Sequence, residues 1–356
     1  MAPPASCEPD VLACDPRDLA ERLLWASDAL HAAAAISAAH RTGVLAMLEG
    51  GPVRPEDVAA QCQLDVRGVV VLLEALAAMG LVDSAVDGRF RTAVPGLRAL
   101  GIRSDSGDLL ADAIRSGRAP LQCDVPAGAT DIYPDTVTHL ATLVGPAAQA
   151  VAECLDGAAR VLDVGAGAAP WSLAVARRDP RCRVTALDLP GVLTTTQEAV
   201  AAAGCSDQFR YLAGDAFTVQ VARAAYDLVL LGNLCHLFDA QTNRRLLQRL
   251  RPALRRGGRV AVIDILPSAT DPASRRSVAL YAAGLRTRTS SGGVHDEESY
   301  RAWLSEAGLH DIQVRQVSRT PPISLITGSA LPRAARRDLP CQNQGGRGRP
   351  RAVGRD

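Results

Sequence analysis

The chain has no lysine: all 39 of its basic residues are arginine, and 38 acidic residues balance them to a formal charge of +1. With so little net charge, no global field recruits DNA, RNA or an anionic membrane, and a nucleic-acid role would need a local patch. The nine cysteines contain no CxxC pair and no finger-like Cys/His spacing. That argues against a structural zinc site or a disulfide framework and for reduced thiols. No apolar run approaches the ~20 residues that a membrane span needs. The opening MAPPASCEPDVLACDPRD has acids and prolines where a secretory leader would carry a basic and then an apolar region, so a cytoplasmic protein is expected. What remains is a globular composition, 47% hydrophobic and 22% charged over 356 residues, long enough for two domains of ordinary size.

From residue 15 to residue 104 the pattern is mainly helical. Alanine- and leucine-rich runs are broken at Gly43 and at the Gly50-Gly51 pair. A short helix, a turn, a second helix ending at Gly80 and a hairpin through Asp87-Gly88 then outline a winged helix. A recognition helix for a DNA groove needs several donors for base edges and phosphates, whereas this second helix carries Arg67 and then VVVLLEALAAM. A helix apolar all round is normally buried, in a core or against another chain. The expected role of residues 15–104 is therefore dimerisation. Residues 1–14 and the Arg/Gly/Pro-rich stretch 329–356 lack periodicity and are expected to be disordered.

Residues 105–157 read as a helical connector in which Tyr133 and His139 are candidates to face a substrate, with plain helix packing as the alternative. From residue 158 to residue 328, strands alternate with helices, the signature of an α/β domain with a mostly parallel sheet and helices on both faces. ARVLDVG, CRVTALD, FRYLAGD, YDLVLLGN and RVAVIDIL are the strand candidates. The first runs into Asp163, Gly165 and Gly167, with Pro170 opening a helix. Glycines at the carboxyl end of a strand let backbone approach a ligand closely, and nucleotide binding is the default reading. A dinucleotide fingerprint would want glycine where Pro170 stands, and a Walker loop would want GK[ST], which is missing.

The remaining pattern, an acidic residue, GxG and a small residue, resembles the first motif of the class I S-adenosylmethionine methyltransferases. Asp188 ends the second strand and Asp215 follows the third, in the order that this family uses. The resemblance narrows to the winged-helix O-methyltransferases, the plant caffeate-type and bacterial natural-product enzymes, over about residues 15–328. It implies a Rossmann-like catalytic domain behind a winged-helix dimerisation domain, with S-adenosylmethionine as cofactor. It also implies a cofactor site formed by Asp163, Gly165, Gly167, Asp188 and Leu189 with Asp215, Ala216, Phe217 and Asn233. Asp188 would accept the ribose hydroxyls and Asp215 would lie near the adenine.

His236, in GNLCHLFDAQTNRRLL, falls on the family's catalytic base. Imidazole suits proton abstraction near neutral pH, a contribution typically worth ~10²- to 10⁴-fold. Asp264 in VIDIL fits the acid that orients it. His295, in GGVHDEESY, stands where plant members place a second acid, so it is a third catalytic candidate, open as second base, carboxylate ligand or spectator. Were the three to converge they would make a 2-His-1-carboxylate set, although no metal is expected. Arg286 and Arg288 are read as solvated cations, with an anionic substrate group as the alternative. The expected reaction is methyl transfer to a hydroxyl of a small aromatic or polyketide-like metabolite in bacterial natural-product biosynthesis. Carbon methylation of an activated phenol or enol is the alternative, and a non-catalytic regulator sensing the cofactor is a further one. A small-molecule substrate and a homodimer are expected, with no nucleic-acid or membrane partner.

Overall fold

The computed structural model describes residues 16–93, 105–267, 272–319 and 321–330. The expected disordered segments, 1–14 and all but the first two residues of 329–356, lie outside them. Helix α1 (Pro16–Arg41) is separated from α2 (Val44–Glu49) by Gly43, whose φ of 81° is a left-handed conformation that suits glycine. Pro55 opens α3 (Pro55–Cys62), and the Asp65 side chain caps α4 (Val66–Ala78) by accepting from the Gly68 amide at 2.7 Å. Strands β1 (Val82–Ser84) and β2 (Phe90–Thr92) form the expected antiparallel wing. The second helix differs from expectation in one respect. Its inner face, Val69, Leu73 and Leu76, joins the small core, while Val66 and Val71 stay exposed on the outer face.

The connector holds α5 (Ser106–Ser116) and the long α6 (Pro126–Cys154). The second half of α6 shares a core with the sheet through Val144, Ala148, Val151 and Leu155, so it is built into the α/β unit. The five expected strands are β3 (Arg160–Val164), β4 (Arg183–Asp188), β5 (Phe209–Ala213), β6 (Tyr226–Gly232) and β7 (Leu254–Ile265). Two more, β8 (His310–Gln316) and β9 (Ile323–Ser329), add an antiparallel edge absent from the sequence reading. The exposed, polar β8 shows why: HDIQVRQ buries too little to print a strand pattern. Sheet order is β5-β4-β3-β6-β7-β9-β8, parallel through β7.

Helices α7 (Pro170–Arg178), α8 (Pro190–Ala202), α9 (Ala240–Leu250), α10 (Pro272–Leu285) and α11 (Glu297–Glu306) complete the fold. All seven residues of β6 are buried, because alternate side chains enter two cores: Leu228 and Leu230 on the α6–α7 side, Val229 and Leu231 on the α9–α11 side. The strand order reverses between β3 and β6, and ligands of open α/β sheets bind in the crevice outside the carboxyl ends at such a switch. Among the described residues, no helix is long and apolar enough to cross a membrane.

Gly232, at the end of β6, marks the closest packing at that crevice, where a Cβ would overlap the buried Trp171 indole. Gly232→Ala is expected to destabilise the fold by about 1–3 kcal/mol, the usual cost of overpacking. Thermal unfolding should show Tm lowered by several degrees; an unchanged Tm would mean that the indole has room to shift.

Candidate active site

The crevice is a cavity at the carboxyl ends of β3, β4 and β6, roofed by the start of α6. Its floor is the loop after β3, where Gly165 (φ 69°) and Gly167 (φ 56°) both take left-handed conformations. A Cβ on Gly165 would press on Leu234 and one on Gly167 on Val137, so side chains there would fill the space a ligand needs. The Asp188 carboxylate organises the floor by accepting from the Gly167 amide at 2.8 Å and the Leu189 amide at 2.7 Å. Burial pushes Asp188 up to about 6, against the lowering effect of those two amides.

Leu189, Asp215, Ala216, Phe217 and Asn233 also line the cavity. Asp215 holds its own turn by accepting from the Phe217 amide at 2.9 Å, and the Phe217 ring meets Phe238 edge-on at 5.0 Å. Asn233 sits in a left-handed conformation (φ 55°), and its Oδ1 is buried without a hydrogen-bond partner. The wall thus offers two carboxylates and an orphaned amide oxygen, all acceptors, and so fits a ligand rich in hydroxyl and amino donors.

Asp163 departs from the expected set. Its side chain is buried away from the cavity wall and accepts a hydrogen bond from Ser172 on α7. Burial raises it to about 7, and the neighbouring charge of Asp188 adds to the rise. It ties the strand to the helix that follows and does not line the cavity.

His236 lies in a 3-10 turn, Cys235–Leu237, immediately after the cavity residues Asn233 and Leu234. Its Nδ1 is 2.7 Å from Asp264 Oδ1, with the two side chains only 3% and 1% exposed. Because a carboxylate only accepts, Nδ1 carries the proton and Nε2 presents a lone pair. Asp264 also receives the His236 amide (3.2 Å), the Ile265 amide (2.9 Å) and the Tyr300 hydroxyl (2.9 Å). Burial works to raise this carboxyl, but His236 and the hydrogen bonds outweigh it and hold it below the usual carboxylate range.

Tyr300 was not among the residues singled out in the sequence; nothing in EESYRAW marks it, and only folding brings α11 beneath β7. His295, which was, stands elsewhere. Its Nε2 meets the Phe238 carbonyl at 2.9 Å and its ring rests edge-on against Trp303 and Tyr300. Among the described residues, no group of three His, Cys, Asp or Glu side chains could hold a metal, so His236, Asp264 and His295 do not converge as ligands.

Tyr281, from α10, is a second residue that the sequence did not disclose. Its hydroxyl lies 3.2 Å from His236 Nε2 and 3.4 Å from Nδ1, with the two rings nearly perpendicular. An oxygen in the ring plane on the Nε2 lone-pair axis would be far from Nδ1. Near-equal distances therefore place the hydroxyl over the ring face, off that axis. Tyr133 lines the cavity, while the side chain of His139 lies outside the described residues. Arg286 donates to the Gly117 and Ser290 carbonyls at 3.2 and 2.9 Å, and half-buried Arg288 stacks 5.4 Å from the Tyr281 ring centroid.

Known proteins resemble this chain in sequence and in fold. A family profile described as the O-methyltransferase domain matches residues 127–310. A 3-hydroxy-5-methyl-1-naphthoate 3-O-methyltransferase of Streptomyces sahachiroi is 28% identical over 317 residues, 82% of this chain and 90% of that protein. A tetracenomycin polyketide synthesis 8-O-methyl transferase of Streptomyces glaucescens is 25% identical, covering 83% of this chain and 93% of its own length. The crystal structure of human N-acetylserotonin methyltransferase in complex with S-adenosylmethionine superposes with a TM-score of 0.69 at 21% identity, covering 89% of this chain and 99% of that one, and shows a shared fold.

The ionisation of Asp188 makes the cofactor half of the site testable. Donors from a ligand favour the charged carboxylate, so affinity for S-adenosylhomocysteine should fall as pH drops through about 6 and the group protonates. Calorimetry between pH 5 and pH 8 reads this directly. Asp188→Asn should weaken binding at pH 8 by about 1–3 kcal/mol and flatten the profile; an unaltered profile would remove Asp188 from the site.

Proposed function

We propose, from the premise that the chain belongs to the O-methyltransferase domain family, that His236 is the general base removing the proton from a hydroxyl of a small aromatic or polyketide-like acceptor. The protein is an S-adenosylmethionine-dependent methyltransferase. When bound, that cofactor supplies an electrophilic methyl group on a sulfonium whose leaving group is already good. The chain's own residues are left with placing the acceptor oxygen and removing its proton.

The observation that carries this reading is the buried Nδ1–Oδ1 contact of 2.7 Å between His236 and Asp264. It fixes the tautomer and ring orientation, so that Nε2 is the proton acceptor, and it stabilises the imidazolium formed when the proton arrives. Tyr300 and Ile265 hold Asp264 in turn, so the base has a rigid support. Asp188, Asp215 and the Asn233 oxygen are the residues that would hold the cofactor, at the carboxyl ends of β4, β5 and β6. His295, bonded to the carbonyl of Phe238, acts as a prop for the turn carrying His236. The curated relatives act on a hydroxynaphthoate and in tetracenomycin polyketide synthesis, which supports a fused aromatic acceptor here.

A homodimer is part of this proposal. Leu24, Trp25 and Leu30 on α1 and Val66 and Val71 on α4 are exposed large apolar side chains, an arrangement that suits contact with a second copy. Light scattering at micromolar concentration should report a dimer, and a stable monomer would refute this part.

His236→Ala should lower kcat by ~10²- to 10⁴-fold while leaving S-adenosylhomocysteine affinity nearly intact, because the side chain meets the acceptor proton and not the adenosyl group. Asp264→Asn should lower kcat less by loosening the ring. Steady-state kinetics with calorimetry separates the two effects. Near-normal turnover by His236→Ala would end the base assignment.

A further inference from the structure

We infer that the acceptor is an aromatic hydroxy acid whose carboxylate is bound by the Arg288 guanidinium while its hydroxyl meets His236. This inference rests on the methyl-transfer reading above and adds the anionic half of the acceptor.

Arg288 is held in place by its backbone. The segment after α10 pairs with the segment before α6, the Leu121 amide donating to the Thr287 carbonyl at 3.0 Å and the Cys123 amide to the Arg288 carbonyl at 2.6 Å. Asp124 clamps the same junction by accepting from the Thr289 hydroxyl at 3.1 Å and the Ser290 amide at 3.0 Å. The side chain leaving this junction stacks on Tyr281, whose hydroxyl touches the His236 ring. Tyr133 and Cys123, both on the cavity wall, lie within its electrostatic reach. The guanidinium therefore stands beside Tyr281, the residue whose hydroxyl touches the base.

No carboxylate answers its charge. Arg178, Arg181, Arg255 and Arg301 are each paired with a carboxylate. Among the described residues no carboxylate pairs with Arg288, and Asp124, in the same junction, is turned to Thr289 and Ser290. The tyrosines beside it stay neutral, since burial pushes Tyr281 up to about 12 and Tyr133 higher still. Guanidinium is charged at any working pH, and its planar fork matches a carboxylate with two parallel hydrogen bonds. A half-buried cation without a counter-ion is unfavourable until an anion arrives.

The rest of the wall nearby, Val125, Pro126, Ala129, Leu237 and Phe238, is apolar and suits a flat ring system. One cation among apolar groups matches a monoanion.

The test compares 3-hydroxy-1-naphthoate with its primary carboxamide, which has the same shape and no charge. Wild-type kcat/KM should favour the acid by about 10²-fold, mostly through KM, the scale for leaving a buried charge partner unmatched. Arg288→Gln should bring the ratio near one, and Arg288→Lys should restore part of it. Because the wild-type ratio needs no variant, a misfolded Arg288→Gln does not protect the idea: equal turnover of acid and amide overturns it and leaves methyl transfer standing. If neither compound is methylated, calorimetry with S-adenosylhomocysteine present decides. Naphthoate binding that is lost in Arg288→Gln supports the anion site while removing the hydroxyl-acceptor reading, and equal or absent binding of the two compounds overturns the anion site.

Discussion

One buried carboxylate holds the reacting end of the molecule together. Asp264 closes β7 and collects four donors: the imidazole and amide of His236, the amide of Ile265 and the phenol of Tyr300. Its oxygens only accept, and a buried anion is tolerated only when donors surround it. The strand end, the 3-10 turn and α11 must therefore meet at this point. That requirement positions the base. It also explains why His295 is displaced: the space beneath Asp264 is taken by Tyr300, and the imidazole of His295 packs outside that ring and Trp303.

The cofactor half follows a related rule with a different outcome. Asp163 and Asp188 lie near the carboxyl ends of adjacent strands, yet only Asp188 faces the cavity. In the parallel register Asp163 lies opposite Ala186, on the same face as Asp188 but two residues short of it along the sheet, and there Ser172 of α7 meets it. Burial raises both, Asp163 to about 7 and Asp188 to about 6. Two carboxylates so close repel one another, and a ligand that donates to Asp188 stabilises its charged form.

The acceptor half is assembled from segments far apart in the chain. The turn bearing His236 rests directly on the loop after α10, where a Cβ on Gly292 would overlap the His236 carbonyl and Leu237, and the Gly293 amide donates to that carbonyl at 2.9 Å. The same loop is bound to residues 117–124, so the base, Tyr281 and Arg288 share one frame. Tyr133 enters that frame from α6. A cation on this frame is fixed relative to the base, which is what selection of a substrate by two separated groups requires.

The five parallel strands, the glycine loop, the wing and the acids at strand ends are legible in the sequence. Each rests on local physics: period-two apolar runs, glycine where φ is positive, proline at a helix start, carboxylates at a fixed distance past a strand. Gly165 and Gly167 could therefore be named from the chain alone, and Asp188, Asp215 and His236 through the family resemblance. The antiparallel edge of β8 and β9, the inward turn of Asp163 and the places of Tyr281, Tyr300 and Arg288 could not. The sequence by itself determined which backbone segments could build a sheet and a nucleotide-type loop, because those signals lie within a few neighbouring residues. Only the tertiary structure decided which side chains surround His236 and that Arg288 stands among tyrosines without a carboxylate, because partners brought together across 28 to 169 positions of chain leave no local pattern.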